Sequence, residues 1–468
     1  MRTIALLLLT LLTMQAHANT IDAKALETFV DELMATEMKK QEIPGAAFIL
    51  VQNGKVVLAK GYGLADIERK KPVDPAKTIF PIGSITKVFT AMAVVQLADR
   101  GQLDLNADVN RYLKTIQVPA KYDAPVTARQ LLTHSAGFDE LVGVRMLRSP
   151  DERVQPLSTF LASRLVRIRP PGEMTAYSSF GTALAGLLVE DVAETSYERY
   201  LTCNVWAPLK MNRTHVTTPE DQRDDLAVAY ESDEGKIVAI PYERYHTAPA
   251  SSINSTAADM RRFMLAILGE GTLEGARILS EKAMRDMTSQ QMTMHPLMPG
   301  FGYGLQMADD NGRRIVEHGG NIGGFHALMT LLPEHETGFY VVAHREGGSL
   351  RDSVRTAILN RWFPNEHPPV APPKPDPSVA KRLQRLAGTY RGNIWCHTCP
   401  FDPDRVQDAR VTVNDDGTLS GWGTKWIEVS PLFFRSPDGR RRIGFSEDAR
   451  GNITGMTSGS WMVMERLP

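Results

Sequence analysis

Cysteine is scarce in this chain, which has three cysteines in 468 residues. Disulfides therefore do not hold the main fold together, and a large hydrophobic core has to do so. We expect Cys203 to be a buried or semi-buried free thiol. The pair Cys396 and Cys399 encloses His397 and Thr398, a spacing that suits a tight disulfide loop, half of a metal site or a redox motif.

Two of these three interpretations of the Cys396 and Cys399 pair lack support elsewhere in the sequence. A structural zinc site needs a full tetrahedral set of ligands, and the chain has no second Cys-x-x-Cys to complete it. A redox motif should follow a strand and open a helix, whereas Pro400 and a turn at Pro403 follow here. We therefore favour a local disulfide formed in an oxidising compartment, and we expect neither a metal nor another cofactor.

The chain also lacks a net charge of either sign, since its formal charge is −1 at pH 7. No bulk field then attracts nucleic acid or an anionic membrane. The clearest basic cluster, Arg440-Arg441-Arg442, follows Pro437-Asp438-Gly439 and is interpreted as a solvated turn edge. The expected partner is a small molecule or a short peptide, not a nucleic acid.

Long apolar runs are missing except near the start of the sequence. Arg2 precedes an apolar stretch from Ile4 to Met14, too short to span a bilayer, because a spanning helix needs about 20 apolar residues. Gln15-Ala16-His17-Ala18 follows and is typical of a signal-peptide cleavage site. We expect residues 1–18 to be a signal peptide and the mature protein to be secreted, into the periplasm, without an integral membrane segment. The alternative is a buried N-terminal helix.

A proline-rich stretch, residues 364–378, divides the rest of the chain and is typical of a semi-rigid extended linker. Residues 19–363 have mixed α/β patterns. Residues 379–468 have short alternating runs and glycine turns, which predict an all-β domain, either a barrel or a sandwich.

Strand patterns occur at both ends of residues 19–363, with a mostly helical stretch between them. This order predicts one sheet built from both ends of the region, with a helical insertion and a cleft between the two layers. The segments are a helix over Ala23 to Lys39, strands over Ala46 to Gln52 and Lys55 to Lys60 joined by Asn53-Gly54, helices from Ser84 to Met298, strands from Tyr303 to His344, and a helix from Leu350 to Phe363.

Ser84 and Lys87 stand three residues apart where an apolar helix begins. The run from Val88 to Ala98 is apolar almost all round, as in a helix inside a core. Residues at i and i+3 share a helical face, so the Ser84 hydroxyl and the Lys87 amine can meet. Desolvation disfavours a charged lysine, and a neutral amine can take a proton from serine. The positive helix N-terminus would steady an oxyanion, so the pattern predicts acyl transfer.

A second Ser-x-x-Lys, at Ser378 and Lys381, shows that the motif alone is weak. It follows the proline-rich stretch and precedes the charged segment Arg382 to Arg385, so nothing there would bury the lysine. We interpret this copy as chance.

Two further segments are able to complete a site around Ser84. Tyr177-Ser178-Ser179 lies between a turn and an apolar helix, where a phenol could pass protons; the alternative is a tyrosine packed in the core. His318-Gly319-Gly320-Asn321 lies between strand-like runs, and its glycines indicate close approach of another backbone or a ligand; the alternative is a simple bulge. In the first interpretation, His318 faces the cleft and the Asn321 and Ser84 N–H groups form an oxyanion hole.

In this order, the Ser84, Tyr177 and His318 segments resemble the three signatures of class C β-lactamases and related penicillin-recognising serine hydrolases. The resemblance covers Ile21 to Phe363 and implies a β-lactamase/transpeptidase-like α/β fold, an antiparallel sheet with flanking helices packed against a helical subdomain. The all-β domain is similar to the small accessory domains attached to such enzymes, and we expect it to roof the cleft or restrict substrate size. Supporting stretches are Leu131 to Gly137, Ser255 to Met260 and Gly302 to Leu305.

The resemblance also implies roles for single residues. Ser84 is the nucleophile, Lys87 the base or proton acceptor, and Tyr177 the proton shuttle, while His318 stands in place of a lysine. His134, inside the first supporting stretch, is expected to be structural. The implied oxyanion and substrate-binding positions are Ser84, Ser179, Gly319, Gly320 and Asn321.

Two departures from the family pattern bear on the substrate. The middle motif ends in Ser179 where asparagine is common, and the third begins with His318 where lysine is common. Both departures weaken recognition of the amide and the carboxylate of a β-lactam. In the third motif the reason is that histidine carries a less dependable positive charge than lysine at neutral pH. The expected function is a secreted serine hydrolase of peptide amides or esters, with D-amino-acid peptides or small esters favoured over β-lactams. The alternative is a penicillin-binding or sensor-like protein that is acylated at Ser84 with little turnover.

Overall fold

The computed structural model describes most of the chain as a sheet-and-helix region followed by a β-barrel. The described residues are 20–141, 147, 152–345, 348–366, 371–400, 402, 406–460 and 462–468. The expected signal peptide, residues 1–18, and part of the expected linker, residues 367–370, lie outside them. No helix within these ranges is both long and apolar enough to cross a membrane.

Strands and helices alternate irregularly along the described residues. The strands are β1 Gly45–Gln52, β2 Lys55–Asp66, β3 Lys71–Pro72, β4 Phe80–Pro81, β5 Ala229–Asp233, β6 Lys236–Ile240, β7 Asn254–Ser255, β8 Thr272–Leu273, β9 Ala276–Arg277, β10 Gln306–Asp310, β11 Arg313–Ile322, β12 Phe325–Leu332, β13 Thr337–Ala343, β14 Gly388–Gly392, β15 Asp408–Val413, β16 Leu419–Gly421, β17 Thr424–Ser430, β18 Phe433–Arg435, β19 Arg442–Glu447, β20 Ile453–Thr457 and β21 Val463–Arg466. The α-helices are α1 Ala23–Lys40, α2 Thr86–Asp99, α3 Ala128–Leu132, α4 Leu157–Leu161, α5 Ser179–Ala193, α6 Tyr197–Leu201, α7 Ala248–Ser251, α8 Ala257–Leu268, α9 Glu281–Thr288, α10 Leu350–Trp362 and α11 Ala380–Leu383.

A seven-stranded antiparallel sheet forms the centre of the first region, in the order β10-β11-β12-β13-β1-β2-β3. Strand β1 pairs with β13, from Ala46 opposite Ala343 to Gln52 opposite Thr337. The predicted sheet built from both ends of the region is therefore confirmed. Asn53-Gly54 forms the turn between β1 and β2 with positive φ at both residues, as a type I′ hairpin requires.

Helices α1 and α10 cover one face of this sheet. Helix α1 buries Leu26, Val30 and Met34, which recur every fourth residue and so lie on one side of the helix. Phe29 of α1 meets Trp362 of α10 edge to face, with ring centroids 5.0 Å apart. Both helices lie within a residue of where the sequence predicts them.

The helical insertion packs on the other face, with α2 inside it. Every residue of α2 from Thr86 to Leu97 is buried, as the all-round apolar pattern predicts. Phe89 of α2 stacks on Phe263 of α8 with ring centroids 4.0 Å apart. The insertion is less purely helical than expected, since the short pairs β4-β7, β5-β6 and β8-β9 also lie in it.

Strands β14 to β21 close into a barrel, which decides between the two all-β architectures that the sequence allowed. Its interior is filled by large side chains that include Tyr390, Trp426 and Phe434. Ser378 and Lys381 are both exposed ahead of β14, as expected of a chance motif.

Two expectations about single residues need correction. Cys203 is exposed instead of buried. It lies in a π-helical turn, Thr202–Trp206, whose buried side carries Val205 and Trp206. A single cysteine has no periodic pattern that would show whether it lies on the buried or the exposed side of the turn. The Arg440-Arg441-Arg442 cluster is more than a solvated edge, because Arg442 forms an ion pair with Asp309 of β10 over 2.9 Å and so ties the barrel to the sheet.

Candidate active site

Ser84 lies in a single 3-10 turn, Gly83–Ile85, that leads directly into α2. Gly83 has a φ of 52°, and a Cβ on it would lie 2.9 Å from the backbone N of Asn321 in β11. Glycine is therefore the residue that suits both the left-handed conformation and the close approach. The turn holds Ser84, half-buried, against the end of β11.

Lys87 lies one helical turn beyond Ser84 and is 1% exposed. Its Nζ donates to the Ser84 Oγ over 3.1 Å and to the carbonyl oxygen of Ala250, in α7, over 2.8 Å. The same Nζ lies 4.8 Å from the centre of the Tyr177 ring. The amine is thus shielded from water and within reach of the hydroxyl.

Tyr177 immediately precedes Ser178, the N-cap residue of α5. The Ser178 Oγ accepts a hydrogen bond from the Gly181 N–H over 3.0 Å, which fixes where the helix begins. Tyr177 is 9% exposed, yet it lines the same cavity as Ser84. Its ring is therefore both packed in the core and open to the site.

His134 lies against Tyr177, with ring centroids 4.4 Å apart. Its Nδ1 accepts a hydrogen bond from the Ser178 N–H over 3.2 Å, which assigns the ring proton to Nε2. Burial, reinforced by the nearby charge of Lys87, lowers the pKa of His134 well below its usual value. The Nε2 has no partner among the described residues. The neutral His134 ring thus packs on Tyr177 and accepts a hydrogen bond from Ser178. The sequence did not indicate either contact.

His318 of β11 is buried beside the same group instead of facing the open cleft. Its ring lies 6.1 Å from that of Tyr177, and it is 1% exposed. Burial, with a smaller contribution from the charge of Lys87, lowers the pKa of His318 to about 3. Its Nδ1 lies 2.7 Å from the carbonyl oxygen of Gly319, to which it donates. A neutral imidazole therefore occupies the position where the family pattern has a lysine.

The glycines of β11 differ in what surrounds them. A Cβ on Gly320 would lie 2.0 Å from the carbonyl oxygen of Ile82 and 3.3 Å from the Ser84 N, so the two backbones touch there, as the sequence predicts. A Cβ on Gly319 would have the Arg351 Nη1, at 3.4 Å, as its nearest neighbour. Gly320 is thus a packing glycine, and Gly319 lines the cavity beside Ser84.

We expect Gly320→Ala to destabilise the fold and displace the Ser84 turn. The added methyl group overlaps a backbone carbonyl that cannot rotate away, so the loss of unfolding free energy should be about 3 kcal/mol. Urea denaturation measures it, and labelling of Ser84 by a fluorophosphonate measures the damage to the site. Gly319→Ala is the matched control, since its methyl group has room. Equal stability of the two variants would contradict the close approach at Gly320.

A cavity of about 470 Å³ opens beside Ser84. Tyr177, Gly319 and Asn321 line it, and so does Arg351 of α10. The Arg351 Nη1 donates to the Gly320 carbonyl over 2.9 Å and to the Asn321 Oδ1 over 2.6 Å, which holds the end of β11 in place. The sequence did not reveal Arg351, because an arginine on a surface helix carries no signal of the strand it faces.

Ser179 is not brought to this cavity. It is the first residue of α5 and is buried, and its N–H donates to the Glu140 Oε2 over 2.9 Å. A carboxylate at a helix N-terminus is stabilised by the helix dipole and by the unpaired N–H groups there. Glu140 thus anchors the chain just after Tyr177, a contact between distant segments that no local pattern predicts.

The cysteine pair lies between β14 and β15 and does not line the cavity beside Ser84. Cys396 and Cys399 are joined by a disulfide in the structure. Throughout the part of the chain that the structure describes, no cluster of histidine, cysteine or carboxylate side chains is arranged to hold a metal ion.

Comparison with known proteins identifies relatives of this chain. A model of the Beta-lactamase family matches residues 30–361. Protein flp of Staphylococcus aureus (strain N315) is 25% identical over 337 residues, which are 71% of this chain and 66% of that protein, so the chain spans slightly less than two thirds of this relative.

Two solved structures share the fold. The octameric penicillin-binding protein homologue from Pyrococcus abyssi superposes with a TM-score of 0.64 at 24% identity, covering 95% of this chain and 100% of the other. A class C beta-lactamase superposes with a TM-score of 0.62 at 20% identity, covering 74% of this chain and 98% of the other. Because the family match extends over well more than half of the chain, this protein belongs to the Beta-lactamase family.

Proposed function

We propose that this protein cleaves peptide amides or esters through an acyl-enzyme formed on Ser84. The observation that carries the proposal is the contact between the buried Lys87 Nζ and the Ser84 Oγ, 3.1 Å apart. A serine hydroxyl is a poor nucleophile by itself and needs a base within hydrogen-bond reach. To act as that base, Lys87 must first lose the positive charge that, besides their burial, lowers the pKa values of His134 and His318, and its own burial disfavours that charge.

Acylation begins when the Ser84 Oγ attacks the substrate carbonyl carbon and its proton passes to the Lys87 Nζ. The carbonyl oxygen takes the displaced electron pair and becomes an oxyanion. The backbone N–H groups of Ser84 and Asn321 stabilise it, since the two segments lie in contact and α2 directs its positive end toward the same place.

The tetrahedral intermediate collapses by expelling an amine or an alcohol, which needs a proton. Tyr177 supplies it, because its phenol ring lies beside the Lys87 amine and lines the cavity. The phenol recovers a proton from Lys87. Water then enters the cavity and attacks the acyl carbon, and the same groups act in reverse to release the acid and free Ser84.

Small esters and D-amino-acid peptides are the favoured substrates. A β-lactam carries a carboxylate that a lysine at position 318 would attract, whereas the imidazole of His318 is buried and uncharged. The same lack of charge favours small esters and D-amino-acid amides over peptides with a free carboxylate next to the scissile bond. Hydrolysis of β-lactams is therefore expected to be inefficient. We further propose secretion into the periplasm after cleavage near Ala18, a compartment where the Cys396 and Cys399 disulfide would persist.

The test is to mix the full-length mature protein with a p-nitrophenyl ester and with a D-alanyl-D-alanine peptide, and to follow product and intact mass together. We expect a burst of p-nitrophenol equal to the protein concentration, an acyl adduct on Ser84, and steady turnover afterwards. A fluorophosphonate and a fluorescent penicillin report reactivity of the same serine.

Each result decides between the candidate functions. An adduct that persists, with no turnover of any ester or peptide, would replace the hydrolase with the penicillin-binding or sensor-like alternative. Absence of any adduct, with a correctly folded protein, would contradict both.

A further inference from the structure

Tyr177 is tied to the barrel on both sides along the chain. Two residues before it, the carbonyl oxygen of Thr175 accepts a hydrogen bond from the Asn393 Nδ2, which follows β14, over 2.6 Å. Two residues after it, the Ser179 N–H donates to Glu140 over 2.9 Å. The second tie also leads to the barrel, because the residue before Glu140 is held there.

That residue is Asp139, whose side chain is completely buried. It receives hydrogen bonds from residues 395–399, called here the barrel loop. The His397 N–H donates over 2.9 Å, the Thr398 N–H over 3.0 Å and the Thr398 Oγ1 over 2.6 Å. A buried carboxylate needs such donors, and the barrel loop supplies all three.

The barrel loop is itself fixed in several ways. The Cys396 and Cys399 disulfide closes it, and the His397 ring lies between Asp139, at 3.4 Å, and Glu465, at 2.8 Å. Arg169, from the segment that leads to Tyr177, donates to the other oxygen of Glu465 over 3.0 Å.

The charges at this contact stay in place at neutral pH. Burial opposes the charge on His397, but hydrogen bonds to Asp139 and Glu465 outweigh it and raise the pKa of His397 to about 9. Burial likewise opposes the charge on Asp139, but the bonds from His397 and Thr398 lower its pKa to about 2. The carboxylates of Asp139 and Glu465 and the cations of His397 and Arg169 therefore form a persistent ionic contact between the barrel and the catalytic region.

We propose that the barrel loop positions Tyr177 for proton transfer, acting through Asp139 and Glu140. This inference rests on the proposed acyl transfer at Ser84 and adds a role for the barrel in it. Asp139 and Glu140 are positioning residues, since neither lines the cavity beside Ser84. Displacement of a reacting group by an ångström lowers rates by about 10²-fold, so a distant anchor is able to control the reaction.

The decisive variant is Asp139→Asn, which keeps the size of the side chain but directs an amide N–H₂ toward groups that donate. With an ester substrate, we expect kcat to fall by about 10- to 100-fold while KM stays nearly unchanged. To obtain kcat, we divide the maximal rate by the amount of Ser84 that a fluorophosphonate labels at completion. Unfolded protein then makes no contribution to kcat. Asp416→Asn is the matched control, because Asp416 accepts the same pair of donors from Thr418 in the turn between β15 and β16, and its kcat should be unchanged.

A double-mutant cycle with Tyr177→Phe separates positioning from general stability. If Asp139 acts through the Tyr177 phenol, Asp139→Asn should have little further effect on kcat once the phenol is gone. An equal loss of kcat in both backgrounds would overturn the proposal, as would an unchanged kcat per titrated Ser84. If Asp139→Asn does not fold, Thr398→Val replaces it in the same cycle. This variant removes only the hydrogen bond from the Thr398 Oγ1 to Asp139, so the expected loss of kcat is smaller. A wild-type protein that forms no adduct would instead contradict the proposed function itself.

Discussion

Ser84→Ala is expected to lower kcat on an ester substrate by on the order of 10⁶-fold, the size of effect seen when the nucleophile of a serine hydrolase is removed. Without the Oγ no acyl-enzyme forms. The remaining groups, the N–H donors at the end of β11 and the cavity, only bind and polarise the carbonyl. Binding should therefore survive while turnover is lost.

The chain offers its own control for this experiment. Ser378 belongs to the exposed copy of the same motif, so Ser378→Ala should retain full activity and full labelling by a fluorophosphonate. Intact mass and initial rates measure both variants side by side. An undiminished adduct on Ser84→Ala would show that another residue is the nucleophile.

Lys87→Ala is expected to lower the rate of adduct formation at Ser84 by about 10²- to 10⁴-fold, the range of a general base. The mutation also removes the bond to the Ala250 carbonyl and leaves a gap beside Ser84. A small primary amine in the buffer should enter this gap and restore part of the rate. Rate constants from intact-mass time courses, with and without methylamine, measure both effects.

Two controls accompany the Lys87 experiment. Lys87→Met fills the same space without an amine, so it should be as slow as Lys87→Ala but should gain nothing from methylamine. Lys381→Ala, in the exposed copy of the motif, should behave as wild type. A Lys87→Met variant that acylates at the wild-type rate would remove lysine from the mechanism.

Much of the fold could be predicted because its signals are local. The Asn53-Gly54 turn, the recurrence of Leu26, Val30 and Met34, and the apolar run of α2 each depend on a few neighbouring residues. The position of Ser84 relative to Lys87 is local too, since a helix fixes residues three apart. These elements stand in the structure where the patterns put them.

The supporting contacts of the site could not be predicted in the same way. Arg351 meets Asn321, and the barrel loop meets Asp139, across long stretches of chain, and a single sequence gives no pairing signal at such distances. His318 was expected to face the cleft, but the burial of a strand residue depends on which layers cover each face. The exposure of Cys203 could not be predicted for the same reason, since it depends on which side of its helical turn is covered by the rest of the protein.

The central pairing of β1 with β13 has a consequence for how this protein is made. Ala46 and Ala343 are neighbours in the sheet but lie about 300 residues apart in the chain, so closing this loop is a late and entropically costly event in folding. Strand β1 is apolar and buried on both faces in the finished sheet. Until β13 has left the ribosome, it has no partner on that side and presents a strand edge that invites aggregation. We therefore expect the yield of folded protein to depend on how well the unpaired edge of β1 is protected until β13 has been synthesised.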